Sequence, residues 1–498
     1  MLALKDPGSI LLISCYELGH QPLGIALPLG FLKQSGYQPI GMDISVEPFD
    51  PEKVCSAKFV GISVPMHTAL RLGIRVAERV REINPVCHIC FYGLYASLNA
   101  EYLLTHDADS VIGGEYETPM LHLIASLEKE EDQDMRGVNR LGQTEGPYLE
   151  RLSFESADRE GLPPLEKYAR LQANGTERVV GYTEASRGCH HMCRHCPIPP
   201  VYQGRFFVIP KETVLEDIRR QVRAGARHIT FGDPDFLNGP GHSLKIVELM
   251  HEEFPEVTFD ITTKVEHILK HRGCFNELRA LGCLFVVSAI ESLSDTVLTH
   301  LNKGHTRADV YTALLILREA RIALRPSLVA FTPWTTLGDY QELLNFVESE
   351  KLIDFIDPVQ YSIRLLIPPG SLLISLPAMG PHLGSLIQES FTYTWTHPDP
   401  RMDRLQRDIT ARVEKAASLG QDPFVTFYQI RLLTDAPLGR TSKRPLPSPN
   451  PNRIRPPRLT ETWFCCAEPT QGQLDPLQKP LRNLENGQFE STVRFAER

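Results

Sequence analysis

Between residues 9 and 125, apolar runs of strand length alternate with amphipathic stretches. Ser9–Cys15, Gln38–Ile44, Lys58–Val64, Val86–Tyr92 and Asp109–Ile112 read as strands, and Leu23–Gln34 and His67–Ile83 as helices. In the second helix Leu70, Ile74, Ala77 and Val80 recur on one stripe. Such alternation predicts a doubly wound, mostly parallel α/β sheet that binds ligands at the carboxyl ends of its strands. Those ends carry Tyr16–Pro22, Pro65–His67, Gly93–Ser97 and Gly113–Glu117.

A second series runs from Val179 to Tyr361. Its strand candidates are Val179–Ala185, His228–Phe231, Val257–Thr262, Leu284–Ile290, Leu324–Phe331 and Phe355–Tyr361. Thr213–Ala224, Asp309–Arg321 and Gly338–Glu350 read as helices between them. Six βα units predict a partial (βα)6 barrel of TIM type, with its active site at the carboxyl ends of the strands. The expected divisions are an α/β domain over 1–130, a linker over 131–178 and a barrel over 179–370. A partly helical accessory region over 371–435 and a tail over 436–498 follow. Residues 436–458 are rich in Pro and Arg and contain no acid, which predicts an extended linker.

Length and charge narrow the class. At 498 residues the chain exceeds a single core. With 52 basic and 61 acidic residues its net charge is −9, which argues against nucleic acid or an anionic membrane as partner. The apolar run Ile10–Ile13 is too short for a signal peptide, so a cytoplasmic location is expected. There the 11 cysteines would stay reduced, and a tight cluster of them would mark a metal, redox or catalytic site.

One such cluster follows the first strand of the second series: Ser186-Arg187-Gly188-Cys189-His190-His191-Met192-Cys193-Arg194-His195-Cys196. Three thiolates on one short loop suit an iron–sulfur cluster, zinc or copper(I). A 4Fe-4S cluster ordinarily takes four thiolates, so three leave one iron open for a ligand. The competing reading is a structural zinc completed by His190, His191 or His195. Zinc usually takes two separated ligand pairs, and no second pair lies nearby.

The spacing Cys189-x3-Cys193-x2-Cys196 after a first barrel strand resembles the radical S-adenosylmethionine (radical SAM) superfamily. The resemblance implies that the three cysteines hold a 4Fe-4S cluster whose open iron is chelated by S-adenosylmethionine, which is cleaved to a 5′-deoxyadenosyl radical. His195 stands where the family usually has an aromatic residue packing the adenine. Gly232-Asp233-Pro234-Asp235 ends the second strand, where relatives hold the methionine amino group, and Asp233 and Asp235 fit that role. Lys264 ends the third strand, near where relatives meet the cofactor carboxylate. Ser288 to Glu291 end the fourth, as in the segment that meets the ribose, and Leu301-Asn302-Lys303-Gly304-His305 follows.

Residues 9–125 are similar to the cobalamin-binding domain fused ahead of many such barrels, through Gln21–Ile25, Val60–Val64, Gly93 and Gly113–Glu117. No Asp-x-His-x-x-Gly segment offers a lower cobalt ligand. His67, at a helix start, could approach a corrin but reads more readily as a polar surface residue. Near the end, Cys465-Cys466-Ala467-Glu468-Pro469 resembles the tail of radical SAM proteins described as having a CUAEP or CCAEP tail. Adjacent soft atoms there could hold a metalloid, form a redox couple or carry a substrate. Cys87 and Cys90 lie in a strand and read as core.

The first expectation is therefore an enzyme. It would cleave S-adenosylmethionine and modify a small molecule or small peptide, with cobalamin as a further cofactor and a reductant protein such as flavodoxin or ferredoxin. Cys465 and Cys466 would take part in catalysis. The alternatives are a cobalamin- or redox-responsive binding protein without turnover and a zinc-stabilised structural protein.

Overall fold

The computed structural model describes residues 3–129, 135–435, 447–450, 452–453, 455–461 and 471–478. The first layer is a sheet of β1 (Ile10–Ser14), β2 (Ile40–Asp43), β3 (Phe59–Ser63), β4 (His88–Tyr92), β5 (Ser110–Ile112) and β6 (Val138–Asn139), in the order β2-β1-β3-β4-β5-β6. The first five are parallel and β6 is antiparallel. Strands β1, β3 and β5 are buried along their whole length, as continuous apolar runs in a parallel sheet must be. Cys87 and Cys90 are buried in the hydrophobic layers on opposite faces of this sheet.

The segment expected as a linker packs against both units. It supplies β6, and it supplies β7 (Arg170–Ala173), which turns back on β8 (Thr176–Thr183) through Asn174 and Gly175, both at positive φ. Two successive left-handed residues make the tight turn that suits a twisted hairpin. Arg159 binds Asp217 through two hydrogen bonds of 2.7 and 2.9 Å and also donates to Gln21 and to the Tyr182 carbonyl.

The second sheet is a half-barrel. After the short pair β9 (Ser186–Gly188) and β10 (Phe206–Val208) come β11 (His228–Phe231), β12 (Thr258–Thr262), β13 (Cys283–Glu291) and β14 (Ala323–Leu328). The order is β14-β13-β12-β11-β8-β7, with β8 and β11 to β14 parallel. Phe259, Ile261, Val286 and Ile290 face the helix layer, in one core with Val310, Leu314 and Leu344. The sixth strand candidate, Phe355–Tyr361, forms two short 3-10 turns instead. Pro358 removes a ladder donor there. Gln360 Oε1 accepts from the Leu328 amide at 2.9 Å in place of a strand carbonyl, and the sixth parallel position shrinks to a bridge between Phe331 and Arg364.

Beyond the barrel, β15 (Leu383–Ile387) and β16 (Thr392–Trp395) form a hairpin, and helices Pro400–Ser418 and Pro423–Asp435 cover the last turns. In the Arg-rich stretch, Arg453 pairs with Asp354 and Asp422. The last strand, β17 (Arg458–Leu459), adds antiparallel to β7. Helix Gln471–Gln478 lays Leu474 and Leu477 against the N-terminal domain. Among the described residues no helix is long and apolar enough to cross a membrane.

Candidate active site

The cysteine loop is clamped at its base. Ser186, Arg187 and Gly188 of β9 pair with Val208, Phe207 and Phe206 of β10, and the ladder continues with the Cys189 amide donating to the Arg205 carbonyl at 3.1 Å. Gly188 has φ +76°, and a Cβ there would meet the Arg205 carbonyl oxygen at 2.5 Å and the Tyr202 ring at 2.6 Å. Only glycine lets the backbone pass. The loop's other side is stitched to the segment after β13. Arg194 donates to the carbonyls of Thr299 and His300, its amide bonds the Leu301 carbonyl, and Asn302 donates to the Met192 carbonyl.

Of the three cysteines, Cys189 and Cys193 are buried and Cys196 is half-buried. Burial raises the Cys189 thiol above its ordinary value. A buried thiol of this kind ionises when a positive metal centre compensates it. Lys303 lies buried beside the loop with Nζ 3.1 Å from Glu291 Oε1. Burial disfavours its ammonium, but Glu291 and the thiols of Cys193 and Cys196 outweigh that and raise its pKa. Three soft donors on a clamped loop with a buried cation alongside fit an anionic iron–sulfur cluster.

Glu291 stands at the end of β13 with φ +63°, an uncommon backbone for a residue with a side chain. Its carboxylate binds Lys303 and His195 Nε2, each at 3.1 Å. Burial alone would raise this carboxyl. Lys303 and the His195 contact pull it down to about 2. His305 closes the Leu301-Asn302-Lys303-Gly304-His305 segment, for which the sequence gives no role. It is buried, its ring nitrogens have no hydrogen-bond partner among the described residues, and burial lowers its pKa to about 4. Its place just after Lys303 was the available signal.

Gly232, Asp233, Asp235, Lys264 and Glu291 all lie at carboxyl ends of parallel barrel strands, the end from which the cysteine loop also leaves. Several of these side chains are engaged by protein partners there. Gly232 is held to glycine by Tyr182, whose hydroxyl would lie 1.9 Å from a Cβ. Asp233 is committed to the loop: its oxygens accept from Ser186 Oγ at 2.6 Å and the Ala185 amide at 2.8 Å. Burial raises its carboxyl to about 6 against those bonds. Asp235 Oδ1 accepts from Thr263 Oγ1 and the Leu237 amide, and its Oδ2 faces His191 and His267. Asp233 thus has both carboxylate oxygens engaged, whereas Asp235 has Oδ1 engaged and Oδ2 crowded by two imidazoles. Lys264 Nζ is 3.2 Å from Glu266 Oε2. Ser288 shares the parity of Val286 and Ile290, so alternation along β13 turns it toward the helices, away from the mouth. Cys465 and Cys466 lie outside the described residues.

The N-terminal sheet presents its carboxyl strand ends to this mouth. Arg187 binds Glu117 through two hydrogen bonds, Tyr202 donates to Glu115 at 3.0 Å, and His20 stacks on Tyr182 with ring centroids 4.5 Å apart. His67 is fully buried, with its ring 6.0 Å from that of Tyr95; the sequence reading of a surface residue is corrected.

Residues 183–346 match the radical SAM superfamily. Among curated relatives, the hopanoid C-3 methylase of Methylococcus capsulatus is 26% identical over 330 residues, 63% of this chain and 62% of the methylase. The ribosomal protein uS12 methylthiotransferase RimO of Geobacter sulfurreducens is 30% identical over 203 residues, 37% of this chain and 42% of RimO. The chain thus spans less than two thirds of either relative. Among solved structures, the cobalamin-dependent S-adenosylmethionine radical enzyme OxsB, with aqua-cobalamin and S-adenosylmethionine bound, superposes with a TM-score of 0.65 at 14% identity. That match covers 82% of this chain and 67% of OxsB. The radical S-adenosylmethionine methyltransferase TsrM of Kitasatospora setae, with cobalamin and a [4Fe-4S] cluster, superposes with a TM-score of 0.56 at 14% identity, covering 69% and 70%. Residues 183–346 thus carry a radical SAM domain, and the fold of the chain is similar to that of the cobalamin-dependent enzyme OxsB and of TsrM.

Proposed function

We propose that this protein is a cobalamin-associated radical S-adenosylmethionine enzyme that transfers a methyl or related one-carbon group to a small molecule or small peptide. The observation that carries the reading is the apposition of two mouths. The cysteine loop leaves the barrel strand ends where Arg187 and Tyr182 meet Glu117 and His20 from the strand ends of the N-terminal sheet. The methylase and methylthiotransferase among the relatives and the cobalamin-dependent fold neighbours support the same class.

When bound, the cluster and S-adenosylmethionine supply one-electron cleavage of a sulfonium bond, and cobalamin supplies a methyl carrier. Cys189, Cys193 and Cys196 hold the cluster, and Lys303 offsets its negative charge. Glu291, fixed by Lys303 and His195, presents a carboxylate beside the loop for the hydroxyls of the nucleoside, and His195 offers a planar ring to the adenine. Glu115 and Glu117 hold the base of the loop against the N-terminal domain and keep water from the mouth. A flavodoxin or ferredoxin supplies the electron. Cys465 and Cys466 handle a soft element of the substrate, in keeping with the softness of adjacent thiolates.

The test is anaerobic incubation of the reconstituted protein with S-adenosylmethionine and a strong reductant. 5′-Deoxyadenosine is expected from the wild type and none from the variant with Cys189, Cys193 and Cys196 all changed to Ala. Added cobalamin is expected to be retained on desalting with a base-off spectrum, since the chain offers no Asp-x-His-x-x-Gly segment. Full 5′-deoxyadenosine formation by the triple variant overturns the cluster assignment. Failure to retain cobalamin overturns its role.

A further inference from the structure

Three side chains outside the thiol set converge beside the cysteine loop. His191 lies within the loop, Asp235 follows β11, and His267 sits in helix Val265–Lys270. Each offers one ligand atom, and the three atoms lie within 4.8 Å of one another. His267 Nδ1 is 2.8 Å and His191 Nε2 is 3.5 Å from Asp235 Oδ2. The cluster is largely sealed: Asp235 is fully buried, His267 is buried, and the His191 side chain is 15% exposed.

Close approach in poor hydrogen-bond geometry is the telling feature. Among the described residues Asp235 Oδ2, His267 Nδ1 and His191 Nε2 have no hydrogen-bond partner of good geometry, although two nitrogens approach one carboxylate oxygen. An Asp–His hydrogen bond would aim an N–H at the oxygen, and three buried polar atoms left unpaired would be costly. Ligands of a single ion do crowd in this way. With metal bonds of about 2.0–2.2 Å, neighbouring donor atoms stand roughly 3–3.5 Å apart. Asp235 Oδ1 is meanwhile satisfied by Thr263 and Leu237, which fixes the carboxylate and leaves Oδ2 for the ion. His191 Nδ1 faces Glu266 Oε2 at 3.6 Å, the kind of carboxylate partner that orients a metal-bound imidazole.

The geometry points to a mononuclear site for a divalent first-row transition ion, separate from the iron–sulfur cluster, with His191, Asp235 and His267 as its protein ligands. Two imidazoles and one carboxylate suit iron(II), cobalt(II) or zinc and leave coordination positions open. The ion ties the cysteine loop to the end of β11 and to the helix after β12. Its open positions can take water or a small anionic ligand at the barrel mouth.

The test uses the full-length protein with its cluster assembled, anaerobic and oxidised. Cobalt(II) is added and the protein desalted. About one cobalt per chain is expected to remain, and His267→Ala and His191→Ala are each expected to retain at least about tenfold less with iron content unchanged. X-ray absorption at the cobalt edge of the wild type should show two imidazoles and oxygen, with no sulfur. Wild type and variants retaining equal cobalt, a sulfur-dominated shell, or no retention by the wild type would each overturn the site. The wild-type spectrum decides the matter even where a variant loses its iron. None of these readouts depends on S-adenosylmethionine cleavage, so a negative result here is distinguishable from failure of the proposed activity.

Discussion

Arg187 and Glu117 join the two domains through parallel hydrogen bonds, Nη1 to Oε2 at 2.9 Å and Nη2 to Oε1 at 2.6 Å, with both side chains buried. The guanidinium also lies 5.1 Å from the Tyr116 ring centre and 5.3 Å from that of Phe154. Because Arg187 stands two residues before Cys189, the N-terminal domain is bonded to the root of the cluster loop. Glu117→Ala strands a buried cation, which costs about 3–5 kcal/mol when unrelieved. Glu115 at 3.5 Å relieves part of it, so the lower end is expected. Arg187→Lys keeps the charge but loses the fork and should also destabilise. Anaerobic denaturant unfolding with iron analysis checks this, and unchanged midpoints with full iron would refute it.

Gly188→Ala places a methyl 2.5 Å from the Arg205 carbonyl and forces a left-handed backbone on alanine. Backbone strain alone costs about 1 kcal/mol, and the clash must move β10 as well. The expected outcome is a folded protein with much less iron after reconstitution. Full iron occupancy in that variant would show that the loop tolerates opening at its base.

Glu17 gives stability a pH dependence. Its Oε1 accepts from the Leu23 and Gly24 amides. Burial, opposed by these amides and reinforced by Asp43, raises it from 4.5 to about 7. The folded state therefore keeps its proton over a range where the unfolded chain has released it. Stability is full below pH 4.5 and falls as pH rises toward 7, by on the order of 1–3 kcal/mol from this group. Glu17→Gln should flatten that decline. Thermal unfolding between pH 5 and 7.5 measures it, and parallel curves for variant and wild type would exclude the carboxyl as the source.

Cys465→Ser tests the tail thiols. Oxygen is a harder, poorer nucleophile that stays protonated near neutral pH, so product should vanish while uncoupled 5′-deoxyadenosine formation persists. Normal product formation by the variant would remove these thiols from the chemistry.

Much of this was legible in the order of residues alone. Strand and helix periods are local, so β1, β3, β11 and helix His67–Ile83 could be placed by counting apolar positions. The cysteine spacing is local too: three thiols within one loop mark a candidate iron–sulfur or soft-metal site without knowledge of the fold. Tertiary structure decided what depends on direction and pairing. Alternation along β13 turned Ser288 toward the helices, Pro358 unmade the sixth strand, and Asp233 and Asp235 became committed to partners far along the chain. The meeting of Arg187 with Glu117, and of His191 with Asp235 and His267, has no sequence period to betray it. Each arises where separate strand ends are brought to one mouth, and only the packed sheet sets those distances.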